Sequence, residues 1–486
     1  MGEGARNGRE RVISRSGRAE TLLRESFRKY SLDSRDRRLA TELVYGVIRN
    51  LVTLDYSLSF YIKDPGKTPP DVLDILRLAA YQILYLDKIP PRAAVDEAVE
   101  QAKSLSDPVR GRPTGGFVNA VLRSMLREPE KVKFPGPDKP LDYLSLRLSY
   151  PKWLARRWTE RFGIDGAKAL MEAVNERPPL VIRANLPLVD RDSLAELFKK
   201  NGLETEPGKY APDALIVRSH RPVPELPGYG EGLFSVQDEA AQIVSLLVAP
   251  KPGEVILDAC SAPGGKSAHL SSLSRGGARI VSMDISLDKL ALLKENSLRL
   301  KTADIFPVAA DAAGEMPFSQ AEKNSPSPLK GEVEILEPSP SKGGGEAEGR
   351  VGAGGGFDRI LLDAPCTALG IIRRRPEIKY ARDSADIARM AGLQLLMLEN
   401  VSGLLKPGGT LVYSVCSMEP EEGEGVVESF LSRHAEFSLE DPRPLLPEPV
   451  DRPRGETHGL VMNNFIRTFP HMHGTDGFFM ARMICR

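Results

Sequence analysis

Two cysteines stand at the ends of segments with the apolar character of buried strands: Cys366 in Asp363-Ala-Pro-Cys-Thr-Ala-Leu-Gly370 and Cys416 in Tyr413-Ser-Val-Cys-Ser417. A lone cysteine in a strand-end loop is more often a small buried hydrophobe than a reagent. Two at equivalent positions, both facing one presumed crevice, point to chemistry. Carbon-5 of cytosine is too weak a nucleophile to take a methyl group from a sulfonium. A thiolate adding to carbon-6 turns the ring into an enamine whose carbon-5 can do so, which splits one hard step into easier ones. The carbon-5 proton must then leave so that the thiol can be released. Asp363, close to the first thiol, is placed to bind N3–H and the exocyclic amine of the base and so to favour addition. Spacing alone does not say which thiol attacks.

Such chemistry needs a methyl donor, and the segment Val255-Ile-Leu-Asp-Ala-Cys-Ser-Ala-Pro-Gly-Gly-Lys266 is built to hold one. It reads as a strand, a glycine turn and a helix start. Gly264 and Gly265 let the backbone approach a ligand closely, and the helix N-terminus behind them favours a carboxylate or phosphate. Neither GxGxxG nor GxxxxGK[ST] is met, so dinucleotide and P-loop readings fall away. Three acids then follow in register. Asp284 ends the next strand, where a ribose diol would be bound; Asp311 follows the third, within reach of an adenine amino group; Asp363 follows the fourth. One strand-end acid is usually a turn residue, but three in order after a glycine turn make a nucleoside-cofactor site.

The elements that must position these groups fall into three stretches. Residues 11–130 carry apolar residues at helical spacing over Arg18–Lys29, Arg35–Leu51, Asp71–Leu86, Ala93–Leu105 and Phe117–Leu126, with breaks at Pro65–Pro70 and Ile89-Pro90-Pro91. Residues 129–145 read as a Pro-, Lys- and Asp-rich connector. Residues 146–232 are a small mixed α+β segment, with helices near Trp153–Phe162, Ala167–Asn175 and Asp192–Asn201 and a strand at Leu180–Ala184. Trp153 and Trp158, beside Arg156 and Arg157, suit packing better than base stacking. Residues 233–486 alternate strands with helices, the mark of a Rossmann-like α/β sheet, with strands at Glu254–Ala259, Arg279–Asp284, Ile305–Ala309, Asp358–Leu362 and Thr410–Ser414. Ser235-Val-Gln-Asp238 reads as a capping box before the helix Glu239–Val248. Residues 319–356, rich in Pro, Ser, Gly and Glu, read as a disordered surface insertion.

Net charge is zero over 486 residues, but residues 1–50 hold twelve Lys/Arg against seven Asp/Glu. Arg373, Arg374, Arg375, Lys379 and Arg382 crowd one segment, where phosphate contact is expected. Four widely spaced cysteines without a CxxC pattern argue against a disulfide framework or a zinc site. His471-Met-His473 lacks an acidic or cysteine neighbour and reads as a loop, so no metal is expected. No apolar stretch is long enough to span a bilayer, and the polar, basic start has no secretory h-region. The expected location is the cytoplasm, the expected state a monomer.

The motifs DACSAPGGK, DAPC and YSVCS, taken together, resemble the RsmB/Sun family of rRNA (cytosine-5)-methyltransferases, related to the NSUN proteins. The likeness runs nearly the whole chain: RLATELVYGVIRN, LRLAAYQILYLDKIPPRAAVDEAVEQAK and GGFVNAVLR fit a NusB-like RNA-binding module, SYPKWLARRW the family's middle segment, and RTFPHMHGTDGFFMAR its end. The resemblance implies an all-α NusB-like domain, a middle segment and a methyltransferase domain using S-adenosyl-L-methionine. It implies that Cys416 attacks carbon-6 and that Cys366 helps release product. Cofactor contacts would fall on Cys260, Ser261, Ala262, Pro263, Gly264, Gly265, Lys266, Asp284, Asp311 and Asp363. The partner would be 16S ribosomal RNA or an early small-subunit particle. Val415, Thr367 and Ser261 replace the family's usual Thr, Ser and Ala, small changes that leave the thiols and acids in place.

Two other readings remain in view. DNA cytosine-5 methylases use a Pro-Cys nucleophile with a downstream Glu-Asn-Val, and Pro365-Cys366 and Glu399-Asn400-Val401 are both present. That triplet, however, falls within a helical pattern rather than at a strand end. A non-catalytic RNA-binding adaptor built on the NusB-like module would need neither the thiols nor the acids.

Overall fold

The computed structural model describes residues 19–30, 32–105, 114–136, 138–219, 221–314, 316–318, 356–447 and 459–486. The insertion expected at 319–356 lies, but for Gly356, outside them. Contacts divide the chain into two units: residues 1–177 with 372–384, and residues 178–371 with 385–486.

In the first unit the helices Ala19–Lys29, Ser34–Arg49, Pro70–Tyr85, Pro91–Ser104 and Thr114–Arg127 follow the helical periodicity. Asp33 caps the second by accepting from Arg35 N and Asp36 N, and Pro70 and Pro91 open their helices in the first turn. A further helix, Leu51–Ser59, follows Asn50 directly and buries Leu54 and Leu58 against Leu76, Val118 and Leu122. The expected connector also holds a helix, Pro140–Arg147. The two helices expected on either side of Gly163 are both present within Lys152–Asn175, separated by non-helical backbone at Gly163 (φ 70°, ψ 176°). Trp158 is buried within it, 5.5 Å from the ring of Tyr150.

Residues 372–384 belong to this unit, and two of the five charges expected there as phosphate contacts, Lys379 and Arg373, are buried instead. Lys379 is fully buried, and its ammonium donates to Arg49 O, Ser149 O and Asn175 Oδ1 at 3.2, 3.2 and 2.6 Å. Burial pushes its pKa well down. Arg373 is buried as well. A run of basic residues reads as a phosphate-binding face only if its side chains reach water, and these two do not.

The second unit contains two sheets. The smaller is antiparallel with order β2-β3-β1-β4: β1 (Leu180–Ala184), β2 (Glu204–Pro207), β3 (Ala214–Arg218) and β4 (Phe234–Val236). Only β1 was expected. Strands β2 and β4 are four and three residues long, too short to carry a periodic signal, and β3 is made a strand by its antiparallel pairing to β1 and β2. Ser235 lies in β4 and not in a capping box; the N-cap is Asp238, which accepts from Ala240 N at 3.0 Å.

The larger sheet contains β5 (Val255–Asp258), β6 (Arg279–Asp284), β7 (Ile305–Ala309), β8 (Phe357–Asp363), β9 (Leu405–Val415), β10 (Phe437–Leu439), β11 (Val461–Met462), β12 (Phe465–Thr468) and β13 (Phe478–Cys485). Its order is β11-β12-β13-β9-β8-β5-β6-β7, with β10 paired to β13. Strands β7, β6, β5, β8 and β9 are parallel neighbours, and β13 joins β9 antiparallel. The chain winds outward from β5 through β6 to β7, then returns to place β8 on the other side of β5. That reversal opens a crevice at the carboxyl ends of β5 and β8, where doubly wound sheets bind ligands. Both faces are buried, with Leu257, Ile360, Leu411 and Tyr413 on one side and Ile256, Ile280, Leu361 and Val412 on the other.

Candidate active site

The glycine turn leaves β5 at the crevice. Ser261 N donates to Met283 O and Gly264 N to Ser261 O, both at 2.8 Å. Gly264 has φ +96°, and a Cβ there would stand 2.8 Å from Leu293 Cγ, so both the conformation and the close packing demand glycine. At Gly265 a Cβ would meet nothing nearer than Gln237 Nε2 at 4.0 Å, which leaves that face of the turn open to a ligand. Arg183, buried in β1, braces the turn by donating to Gly265 O at 3.0 Å and to the Gln237 side chain. Nothing in its local sequence singles it out, because its partners are far away in the chain.

Beneath the turn, Asp258 is fully buried and accepts from Ser267 Oγ at 2.6 Å, which accepts from Ser282 Oγ at 2.9 Å. Burial pushes the Asp258 carboxyl up to about 7, against the bond from Ser267. Asp284 accepts from Ala262 N at 3.2 Å and Ser286 N at 3.0 Å. Each of its oxygens keeps a second acceptor site for a hydroxyl. Asp311 is exposed and closes its turn on Ala313 N at 2.9 Å, and Asn400 Nδ2 supports that turn at Ala312 O, 3.0 Å away. Cys260 is half-buried at the turn. Burial first, then the charges of Asp258, Asp363 and Asp284, push its thiol up, which works against a thiolate there. The same acids make the crevice electronegative, which suits a cationic ligand.

Lys266 does not project freely from the turn. Its ammonium donates to Asp363 Oδ2 at 2.5 Å. Burial alone would lower its pKa, but Asp363, with smaller contributions from the Cys416 sulfur and Asp258, raises it instead. The other Asp363 oxygen accepts from Ser414 Oγ at 2.6 Å, so β8, β9 and the glycine turn meet at one carboxylate.

The two thiols are in contact: Cys366 Sγ lies 3.3 Å from Cys416 Sγ. Cys366 is buried and Cys416 half-buried. The hydrogen bond with Cys416, burial, and the charges of Cys416 and Glu422 push the Cys366 thiol well up. That environment favours the protonated thiol at Cys366. The loop after Cys366 turns back over Cys416, with Gly370 N donating to Cys416 O at 3.0 Å and Gly477 N to Gly370 O at 2.8 Å. A Cβ on Gly370 would fall 1.8 Å from Gly477 O, so only glycine permits this crossing. The Glu399-Asn400-Val401 triplet lies on the helix Ser384–Ser402; Glu399 pairs with Arg433 at 2.8 Å and Asn400 serves the Asp311 turn. Among the described residues no group of three or more His, Cys, Asp or Glu could hold a metal ion, and no helix is long and apolar enough to cross a membrane.

A sheet reversing at β5 and β8, with a glycine turn and strand-end acids at the reversal, defines a doubly wound methyltransferase. Within that class the chain belongs to the RsmB/F family of 16S rRNA methyltransferases. The family model described as 16S rRNA methyltransferase RsmB/F matches residues 245–322 and 344–484, the NusB family model residues 11–127, and a ferredoxin-like domain model of RsmF/B-like methyltransferases residues 150–224. The probable ribosomal RNA small subunit methyltransferase B of Bacillus subtilis is 36% identical over 95% of this chain and 93% of its own. Ribosomal RNA small subunit methyltransferase B of Erwinia tasmaniensis is 32% identical over 93% and 92%. The crystal structure of PH0851 is 25% identical with a TM-score of 0.71, covering 95% of this chain and 93% of that one.

Proposed function

We propose that this chain methylates carbon-5 of a cytosine in 16S rRNA, with S-adenosylmethionine as donor and Cys416 as the covalent nucleophile. The observation that carries the reading is the 3.3 Å contact between Cys416 and Cys366, the latter on the loop that begins at Asp363, the carboxylate held by Lys266 of the glycine turn. A methyltransferase acting on a nitrogen or a ribose hydroxyl has no use for two thiols there.

The residues present fit the donor. Asp284 has acceptor capacity for a ribose diol, Gly265 leaves room, and the acids around Cys260 match a sulfonium charge. When bound, S-adenosylmethionine would supply a methyl group activated by that positive sulfur, which carbon-5 takes with the pair released by addition at carbon-6 while the S–CH3 pair stays on the donor's sulfur. Cys260 through Lys266, Asp284, Asp311 and Asp363 would line its site. Cys416 Sγ gives an electron pair to carbon-6, forming S–C6 while the C5=C6 π pair shifts toward carbon-5. As the addition pushes charge onto N3, the proton given up by Cys416 is taken up there by way of solvent, and Asp363, held by Lys266 and Ser414, accepts from the N3–H so formed and from the exocyclic amine and so orients the ring. Once the carbon-5 proton has passed to a base, its bonding pair restores C5=C6 and the S–C6 pair returns to Cys416. Cys366 keeps its proton and donates S–H to the departing sulfur, stabilising the thiolate as it leaves.

A base approached from its face must first leave the stack, so the substrate is 16S rRNA or an early particle in which the target is unpaired. The NusB-like helices hold that RNA, and the enzyme acts as a cytoplasmic monomer. The test is transfer of labelled methyl to protein-free 16S rRNA, read by bisulfite sequencing. One cytosine should become resistant to deamination. Label appearing on a ribose or an exocyclic nitrogen instead would sink the carbon-5 assignment.

A further inference from the structure

One buried acid near the thiols has no part in the chemistry above. Glu422 is fully buried just before the helix Glu424–Arg433. Its Oε1 accepts from Thr367 N at 2.7 Å and Gln394 Nε2 at 3.1 Å. Its Oε2 accepts from Thr367 Oγ1 and Ser417 Oγ, each at 2.5 Å. Four donors thus fill the acceptor sites of one carboxylate. Its backbone carbonyl accepts from Tyr413 OH at 2.6 Å, and Gln394 also donates to Pro365 O at 2.9 Å.

The two hydroxyl donors have matching places in the chain. Thr367 follows Cys366 and Ser417 follows Cys416. A single carboxylate therefore grips the residue after each thiol, across 50 residues of sequence. An unpaired buried carboxylate is costly, and apolar packing would serve better if stability were the only requirement. A carboxylate does what apolar packing does not: it fixes two loops in direction as well as in contact.

We infer that Glu422 is a positioning residue that holds the two thiol loops in register, setting the contact between Cys366 and Cys416 on which release of the methylated base depends. The dependence of release rests on the covalent reading above; the register does not.

The register can be read without RNA. Phenylarsine oxide, a trivalent arsenical, binds tightly only when one arsenic bonds two neighbouring sulfurs. The wild-type protein should take up one equivalent with loss of two free thiols, mapped to Cys366 and Cys416. In Glu422→Ala the affinity should fall roughly 100-fold, the loss expected when a second, intramolecular bond is no longer available. Glu422→Gln should restore most of it, because the amide keeps one acceptor oxygen and the two hydroxyls can rotate to accept from its NH2. If Glu422→Ala does not fold, the isosteric pair Thr367→Val with Ser417→Ala removes two of the four bonds and should weaken the arsenical at least about tenfold. In the RNA reaction Glu422→Ala should lower kcat with little change in KM, and should accumulate adduct. Unchanged arsenical affinity in Glu422→Ala or in the double variant, or no bridging in the wild type, overturns the inference. If bridging follows the variants but no adduct forms at Cys416, the register stands and the covalent reading fails.

Discussion

Cys366→Ala should form the protein–RNA adduct and then stall, so that a denaturation-resistant complex builds up as turnover falls about 100-fold or more, the size of one positioned proton donor. Cys416→Ala should give neither complex nor product. The asymmetry is the one the family resemblance implies, and the burial of the two thiols agrees with it. Cys366 is buried, hydrogen-bonded to Cys416 and close to Glu422, so it stays a neutral thiol; Cys416 is half-buried and borders the crevice. A neutral thiol 3.3 Å from the attacking sulfur can donate to it as it leaves but cannot replace it as nucleophile. Truncating one buried sulfur costs stability on the order of 1 kcal/mol, so a folded variant is expected. Time courses of labelled RNA on denaturing gels separate the cases, and a complex that builds up in Cys416→Ala but not in Cys366→Ala would reverse the roles.

Lys266→Met should cost roughly 100- to 1,000-fold in the methyl-transfer rate, comparable to removing one preorganised electrostatic group from an active site. The ammonium is 2.5 Å from Asp363, within a crevice that also holds Asp258 and Asp284. Without it, Asp363 is left uncompensated among like charges and either takes up a proton or swings away; in either state it no longer orients the base. The change should appear in single-turnover rate more than in cofactor affinity, because Asp284 and the glycine turn remain. Calorimetry with S-adenosylmethionine beside single-turnover kinetics measures both. A rate within threefold of wild type, a loss of only about 0.7 kcal/mol in transition-state stabilisation, would remove Lys266 from the account.

The parallel strands were legible because each is a short apolar run ending at an acid, a glycine or a cysteine; β6 and β7 fall on the residues expected. The thiols and strand-end acids were legible for the same reason. Chemistry at a doubly wound sheet collects at carboxyl ends, which sequence order marks directly. What sequence left hidden depends on long-range contact. Glu422 sits among Glu419, Glu421 and Glu424, a run that by composition reads as a solvated face, yet Glu422 is fully buried. Lys379 is a similar case, and its neighbours Arg49, Ser149 and Asn175 come from three separate helical segments or turns. Gly370 carried no signal either, because the need for glycine comes from Gly477 O, more than a hundred residues later. Strands β10 to β12 are only two to four residues long, and antiparallel pairing, of β10 and β12 to β13 and of β11 to β12, rather than local pattern makes them strands.

The central claim is that Cys416, and not Cys366, bonds to carbon-6 of the target base. RNA carrying 5-fluorocytosine at the target tests it directly, because the carbon-5 fluorine cannot leave as a proton does and the adduct is trapped after methyl transfer. Mass spectrometry of the digested complex should find the nucleotide on the peptide containing Cys416 and leave Cys366 free. The nucleotide on Cys366, or no covalent complex despite methylation of unmodified RNA, would contradict the account.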